Sequence, residues 1–227
     1  MSVSYLVINM DKNEERLAAV AEQFGRLGVE FKRVRGVDGR AMDSDPAAVK
    51  LLAPRAALLG QNFTSDAKEA WAYDGTVGAS FPHLHRYGHF GTKGLTLSNL
   101  LAFATPVQTE WVCVLEDDAE IDRAAFEQIE SYARDPANSG NDIVLLDARA
   151  NGWGGTAGML YRASALPAVA AHMHPLSDFS VNVTRYPRAN LGNLWDWKLW
   201  KYVEFVHGRC ATMPCIGSGR FKSEIDQ

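Results

Sequence analysis

The sequence of 227 residues is long enough for one large α/β domain or two small ones, and its 47% hydrophobic content is ordinary for a packed core. We predict a single domain over residues 1–227. The net charge is −4 and no Lys/Arg run occurs, which argues against nucleic acid as a partner, because binding to its backbone needs a positive field.

The N-terminus and the cysteines bear on the compartment. The N-terminus lacks a basic leader, and its apolar run is too short for a signal peptide or a membrane span. Cys113, Cys210 and Cys215 are an odd number without a CxxC motif, which favours neither a disulfide framework nor a thiolate zinc site. We therefore predict a cytoplasmic protein.

The first third of the chain predicts a β-α-β unit. An apolar strand covers Tyr5 to Asn9, and Asp11 is placed to cap the helix that follows. On one face of this helix apolar residues recur at helical spacing, namely Leu17, Val20, Ala21 and Phe24. A second strand covers Phe31 to Val34, and a turn at Gly36 to Gly39 ends the unit.

The remainder continues the alternation after an irregular stretch from Asp43 to about Gly91. The predicted elements are a helix at Thr96–Thr105, a buried strand at Glu110–Leu115, a helix at Arg123–Arg134 capped by Asp122, strands at Asp142–Leu146 and Met159–Tyr161, and a helix from Ser164 through His172. The C-terminal quarter is aromatic and predicted to be irregular.

Alternating strands and helices predict a mostly parallel sheet covered by helices on both faces. Ligands of such sheets gather beyond the carboxyl ends of the strands. The polar residues at or just past the predicted strand ends are Asn9, Asp11, Asp38, Glu116 to Asp118, and Asp147. We expect the functional site among them.

The triplet Glu116-Asp117-Asp118 is the strongest candidate for chemistry. Three adjacent acids repel one another, and a bound cation would relieve that repulsion. From an extended backbone the first and third side chains can point the same way and offer hard oxygen ligands to Mg²⁺ or Mn²⁺. The alternative is that the acids are solvated loop residues or caps of the next helix.

Segments along most of the chain resemble glycosyltransferase family 25, which includes lipooligosaccharide galactosyltransferases and relatives of the collagen-modifying transferases. The similar segments are Leu6–Arg16 ("v-INLd-r-dR"), Phe31–Gly39 ("f-ri-AvdG"), Gly91–Asn99 ("GeiGcalSH"), Val114–Asp118 ("vlEDD"), Gly155–Tyr161 ("gt-aYl") and Ser223–Ile225 ("SdI"). Two positions depart from the pattern: Thr92 replaces a glutamate and Asn99 a histidine.

The resemblance implies a GT-A-like fold, a UDP-sugar donor, Mn²⁺ dependence and inversion at the anomeric carbon. By position in the family pattern, the nucleotide would be held by Asn9, Arg16, Val37 and Asp38, and ribose and metal by Glu116, Asp117 and Asp118. We expect Glu116 to lie nearer the nucleotide and Asp118 to bind metal, and we expect Asp117 to point away.

An inverting transfer needs a general base for the acceptor hydroxyl. We predict Asp196, because Asn193–Leu199 resembles the family's late "vDw-l" segment, with Asp147 as second choice. His207 is a candidate late metal ligand. In the run from His83 to His89 only the 85/89 pair has one-face helical spacing, Gly88 weakens that helix and no nearby acid completes a metal site, so we assign the run a structural or surface role.

The predicted function is therefore transfer of a hexose, galactose or glucose, from a UDP-sugar to a glycan or glycoconjugate acceptor with Mn²⁺ or Mg²⁺. A lipid-linked acceptor, as in lipopolysaccharide biosynthesis, could bring the protein transiently to a membrane. One alternative is a non-catalytic carbohydrate-binding relative. A sugar nucleotidyltransferase is less favoured, because Asn9–Asn13 contains none of the glycines of its usual phosphate loop.

Overall fold

The fold is seen in a computed structural model that describes residues 2–40, 44–48, 50–51, 91–147, 155–173, 195, 199, 202–203 and 209–218, with the backbone alone at 91–93. The strands and helices are β1 Val3–Asn9, α1 Glu14–Leu27, β2 Lys32–Arg35, α2 Gly91–Phe103, β3 Trp111–Glu116, β4 Ala119–Glu120, α3 Arg123–Arg134, β5 Ile143–Asp147, β6 Gly158–Arg162, α4 Leu166–Met173 and β7 Cys210–Ser218. Short 3₁₀ turns lie at Pro136–Gly140 and Ala163–Ala165.

The described strands join one seven-stranded sheet in the order β2-β1-β3-β6-β5-β7-β4. β1 pairs in parallel with both β2 and β3, and β5 pairs in parallel with β7. β6 runs antiparallel to β3 and β5, and β4 antiparallel to β7, so only these two strands oppose the others. The predicted mostly parallel sheet is confirmed.

Helices cover both faces of the sheet, as the sequence predicts. On one face α1 and α3 pack against the odd-numbered residues of β1 and β3, and Phe24 contacts Tyr5 and Phe31 ring to ring. On the other face α2 and α4 pack against the even-numbered residues of the same strands. Because these strands are buried on both faces, their sequences are continuous apolar runs.

The ends of α1 differ in part from the prediction. Asn13, not Asp11, is the N-cap residue, and its side chain makes no capping hydrogen bond. Asp11 instead pairs with Arg33, because the end of β1 lies beside β2. The helix ends at Gly28, whose φ of 67° is left-handed and whose N–H bonds to the carbonyls of Phe24 and Gly25.

Two further helices start other than predicted. α2 begins at Gly91, five residues before Thr96, because the apolar periodicity reports only the part of a helix that faces the core. α4 begins at Leu166, since Ser164 lies in the preceding 3₁₀ turn and does not cap it. α3 matches its predicted bounds, and Asp122 caps it by accepting a hydrogen bond from Ala125 N at 2.8 Å.

The C-terminal quarter contains a nine-residue strand where the sequence predicts irregular structure. β7 lies between β5 and β4, and its register with β5 jumps from Leu145 opposite Thr212 to Asp147 opposite Ile216. Pro214 falls within this irregularity, which is where a central strand can hold a residue without an N–H. This strand is not evident from the sequence because it contains a proline and residues of low strand propensity.

Candidate active site

The order of the strands creates a crevice at the carboxyl ends of β1 and β3. From β1 the chain first goes to β2 on one side and later to β3 on the other, which makes this the topological switch point where open α/β sheets bind ligands. Ile8 lies opposite Glu116 in the pairing register, and Asn9 ends β1. The carboxyl ends of these two strands therefore meet at the edge of the sheet where the sequence predicts the functional site.

Asp117 lies at the centre of a buried polar network beneath this edge. Its Oδ2 accepts hydrogen bonds from Nδ2 of Asn9 at 2.8 Å and of Asn13 at 3.4 Å, and its Oδ1 accepts from Arg16 Nη1 at 2.8 Å. The side chains of Arg16 and Asp117 are only 12% and 9% exposed. We call these four residues the Asp117 network.

Arg33 supports the network from β2. Its Nε donates to Asn9 Oδ1 at 3.0 Å, and its Nη2 donates to the Asn9 carbonyl and to Asp11 Oδ1. Asn9 Nδ2 also donates to the Asn13 carbonyl at 3.0 Å, so both amide protons and the amide oxygen of Asn9 are engaged. Asn9 is buried, and its predicted contact with the nucleotide stays a prediction.

Glu116 and Asp118 are each half-buried on either side of the buried Asp117. Thr156 Oγ1 donates to Glu116 Oε1 at 3.5 Å, which brings the Gly155–Tyr161 segment to the end of β3. Asp117, which we expect to point away from its neighbours, is buried. Arg16, a predicted nucleotide-binding residue, forms an ion pair with the Asp117 carboxylate.

The residues present fit a divalent cation that protein and substrate would hold jointly. Magnesium-like ions prefer oxygen ligands and commonly bind one or two carboxylates plus substrate phosphates. Glu116 and Asp118 supply two such carboxylates. Within the described ranges, no group of three His, Cys, Asp or Glu side chains could hold a metal ion.

The loop at residues 36–39 is braced by α2. Ser98 Oγ accepts a hydrogen bond from Val37 N at 2.9 Å and donates to the Gly94 carbonyl at 2.6 Å. Val37 is buried, and Asp38 is half-buried with its Oδ1 accepting from Arg40 N at 2.9 Å. The predicted nucleotide residues Val37 and Asp38 thus lie on a fixed loop.

Gly94 permits the close approach of α2 to this loop. A Cβ at this position would lie 2.5 Å from the Val37 carbonyl oxygen and 3.1 Å from Gly39 N. Asn99, where the family pattern has a histidine, is buried and donates to the Leu95 carbonyl within the helix. No role is predicted from the sequence for Gly94, Ser98, Asn13 or Arg33, although all four lie in segments that resemble the family.

Asp147 ends β5 and has no exposed surface. Its Oδ2 accepts a hydrogen bond from Ala157 N at 3.1 Å, while the Ala157 carbonyl accepts from Glu116 N at 2.8 Å. Ala157 therefore connects the ends of β5 and β3. Asp147 is thus buried at the end of β5, and its role as the base stays a prediction.

Several residues named in the sequence analysis lie outside the described residues: Asp196, His207, the histidines at 83, 85 and 89, the Thr92 side chain and Ser223–Ile225. Trp195, next to the predicted base, is described and is 2% exposed, packed against Phe103 with ring centroids 5.8 Å apart. Trp195 is therefore part of the core.

Comparison with known proteins identifies the family. The sequence model described as "Glycosyltransferase family 25 (LPS biosynthesis protein)" matches residues 3–170, which is most of the chain and includes every described residue of the candidate site. The protein belongs to this family and is a glycosyltransferase, with a sugar donor and an acceptor as its partners.

Two solved structures are distantly similar. One is a glycosyltransferase involved in glycosylation of the major capsid of PBCV-1, with 11% identity and a TM-score of 0.45, over 100% of this chain and 97% of that one. The other is mouse xyloside xylosyltransferase 1 in its apo form, with 12% identity and a TM-score of 0.39, over 96% and 84%. No curated protein matches the chain.

In the described part of the chain, no helix combines the length and the apolar composition needed to cross a bilayer.

Proposed function

We propose that this glycosyltransferase moves a hexose, galactose or glucose, from a UDP-sugar to a glycan or glycoconjugate acceptor with inversion, assisted by Mn²⁺ or Mg²⁺. The observation that carries the proposal is the position of Glu116 and Asp118 at the switch point between β1 and β3. Two carboxylates at a ligand-binding edge suit a cation that accompanies a diphosphate.

In this proposal the donor nucleotide lies along the crevice. Asp38 accepts a hydrogen bond from uracil or ribose, Glu116 lies nearer the nucleotide, and Asp118 binds the metal. Arg16 contributes positive charge near the phosphates while it holds Asp117. Because Asn9 and Val37 are almost fully buried, we infer that they hold the site in shape from behind.

The transfer itself exchanges one bond for another at the anomeric carbon. A general base removes the proton of the acceptor hydroxyl as its oxygen attacks the anomeric carbon. The bond from that carbon to the diphosphate oxygen breaks on the opposite face, and UDP leaves with the electron pair. When bound, the cation would supply positive charge to the diphosphate leaving group. Asp196 as the base and His207 as a further metal ligand stay predictions.

The acceptor and the compartment are also part of the proposal. The family's description as an LPS biosynthesis protein suits a lipid-linked glycan acceptor, which would bring the protein transiently to a membrane. A cytoplasmic location follows from the cysteine pattern of the sequence and stays a prediction.

The test is UDP release from a panel of UDP-sugars with and without Mn²⁺, in wild type and in Asp118→Ala. We expect the variant to fold and to lose Mn²⁺-dependent turnover, by at least about a hundredfold, because it removes a metal ligand. Glu120→Gln is the matched control, since it also removes a carboxylate two positions further on, from an exposed residue.

Undiminished turnover in Asp118→Ala would rule out the assigned metal role. If wild type binds a glycan but releases no UDP from any donor, the protein is instead the carbohydrate-binding relative that the Thr92 and Asn99 departures suggest.

A further inference from the structure

The carboxylate of Asp117 is fully committed to protein partners. One oxygen accepts a charge-assisted bond from Arg16, and the other accepts from Asn9 and Asn13. The side chain is 9% exposed, compared with the half-buried Glu116 and Asp118. A carboxylate in these surroundings has little capacity to bind a nucleotide or a metal as well.

The side of the sheet on which Asp117 lies explains its partners. In β3 the odd-numbered residues pack with α1 and the even-numbered residues with α2 and α4. Asp117 continues the odd-numbered series in the turn between β3 and β4, and its partners Asn13 and Arg16 belong to the start of α1. Glu116, the last even-numbered residue of β3, belongs to the series on the opposite face of the sheet.

We propose that Asp117 is a positioning residue, which Arg16 and Asn9 hold on the α1 side so that Glu116 and Asp118 present their carboxylates to the donor. This inference rests on the proposed function, because it assigns the metal to the two flanking acids. It separates the triplet into one structural carboxylate and two that contact substrate or metal.

The direction in which removal of Arg16 changes Mn²⁺ affinity distinguishes a positioning role from a purely electrostatic effect. Arg16 is a cation close to the proposed metal, so its removal would strengthen cation binding if only charge mattered. If Arg16 instead orders the triplet through Asp117, its removal weakens cation binding. We expect Arg16→Gln and Asp117→Asn each to weaken Mn²⁺ binding about tenfold, the lower end of the range for residues that orient metal ligands.

The experiment measures Mn²⁺ affinity by electron paramagnetic resonance of the free ion, with saturating UDP and with folding verified by circular dichroism. The variants are Asp117→Asn, Arg16→Gln and their combination, which should be no weaker than either single variant because both act through one contact. Arg16→Lys is expected to be intermediate. Arg26→Gln is the control, since it removes an exposed cation from the same helix.

An unchanged or raised Mn²⁺ affinity in either folded Arg16 variant overturns the positioning role while the proposed function stands. Absence of Mn²⁺ binding by wild type with UDP overturns the metal part of the proposed function, and the inference falls with it. The two failures are thus distinguishable.

Discussion

Asp147 and Glu116 end two strands at the same edge of the sheet, but their surroundings differ. Asp147 has no exposed surface and accepts a hydrogen bond from Ala157 N, whereas Glu116 is half-buried. A general base must reach the acceptor hydroxyl directly or through one water. Burial therefore favours a supporting role for Asp147, and Asp196 as the base stays a prediction.

The substitution Asp147→Asn tests this distinction. We expect the free energy of unfolding to fall by roughly 1–3 kcal/mol, because a buried hydrogen bond from Ala157 to a charged acceptor is weakened. Turnover per folded molecule should stay within a few fold of wild type, whereas Asp196→Asn should abolish it. Urea unfolding and UDP release measure the two effects, and a folded Asp147→Asn protein without turnover would contradict the supporting role.

At the scale of elements, α2 and the 36–39 loop are held together, because Val37 N donates a hydrogen bond to Ser98 Oγ and Gly94 lies against the Val37 carbonyl. We predict that Gly94→Ala lowers kcat/KM for the donor by roughly ten- to hundredfold, since shifts of about 1 Å in a binding group can have that effect. The Cβ would meet backbone atoms of Val37 and Gly39, so rotation of a side chain cannot relieve the contact.

Gly25→Ala in α1 is the matched control. Nothing lies within 4 Å of a Cβ there, so the substitution should raise the free energy of unfolding by up to about 1 kcal/mol and leave activity unchanged. Donor kinetics and urea unfolding of both variants provide the check. Equal kcat/KM values for wild type and Gly94→Ala would show that α2 does not hold the loop in its active position.

The same elements show which parts of the fold the sequence can predict. α3 matches its predicted bounds because its start depends on a local contact, the hydrogen bond that Ala125 N donates to the side chain of Asp122 three residues earlier. β7 forms by pairing with β5 and β4, which are distant in the sequence, and Pro214 makes this segment look unlike a strand. Caps and continuous apolar runs are therefore visible in the sequence, whereas a strand without such a run, which forms by pairing with distant strands, is not.

At the scale of the whole molecule, the order of strands determines which predicted residues meet. The sequence places acids at strand ends, but it does not reveal that β1 lies between β2 and β3. That order brings Arg33, Asn9, Asp117 and Arg16 into one network. Acids at strand ends were predictable from the sequence, whereas the contacts of Asp117 with Arg16, Asn9 and Asn13 required the three-dimensional arrangement.

Burial of the ionisable core groups gives the molecule an alkaline limit of stability. Burial raises the pKa of Cys210 to about 12, and burial together with the charge of Asp122 raises the pKa of Cys215 to about 11, from an ordinary 9.0. Burial also raises the pKa of the Cys113 thiol and of the Tyr5 hydroxyl, with nearby acidic groups adding to the effect. In the folded protein these groups therefore keep their protons to a higher pH than in the unfolded chain.

We predict that the free energy of unfolding falls as pH rises above about 9, because the unfolded chain then releases thiol protons that the folded protein retains. Below pH 9 both states hold these protons, and stability is not affected by them. Urea unfolding at pH 7.5, 9 and 10 measures the decline. Cys210→Ser removes one such group and should make the decline shallower, while a stability that is constant or rising between pH 9 and 10 in wild type would contradict the burial of these protonated thiols.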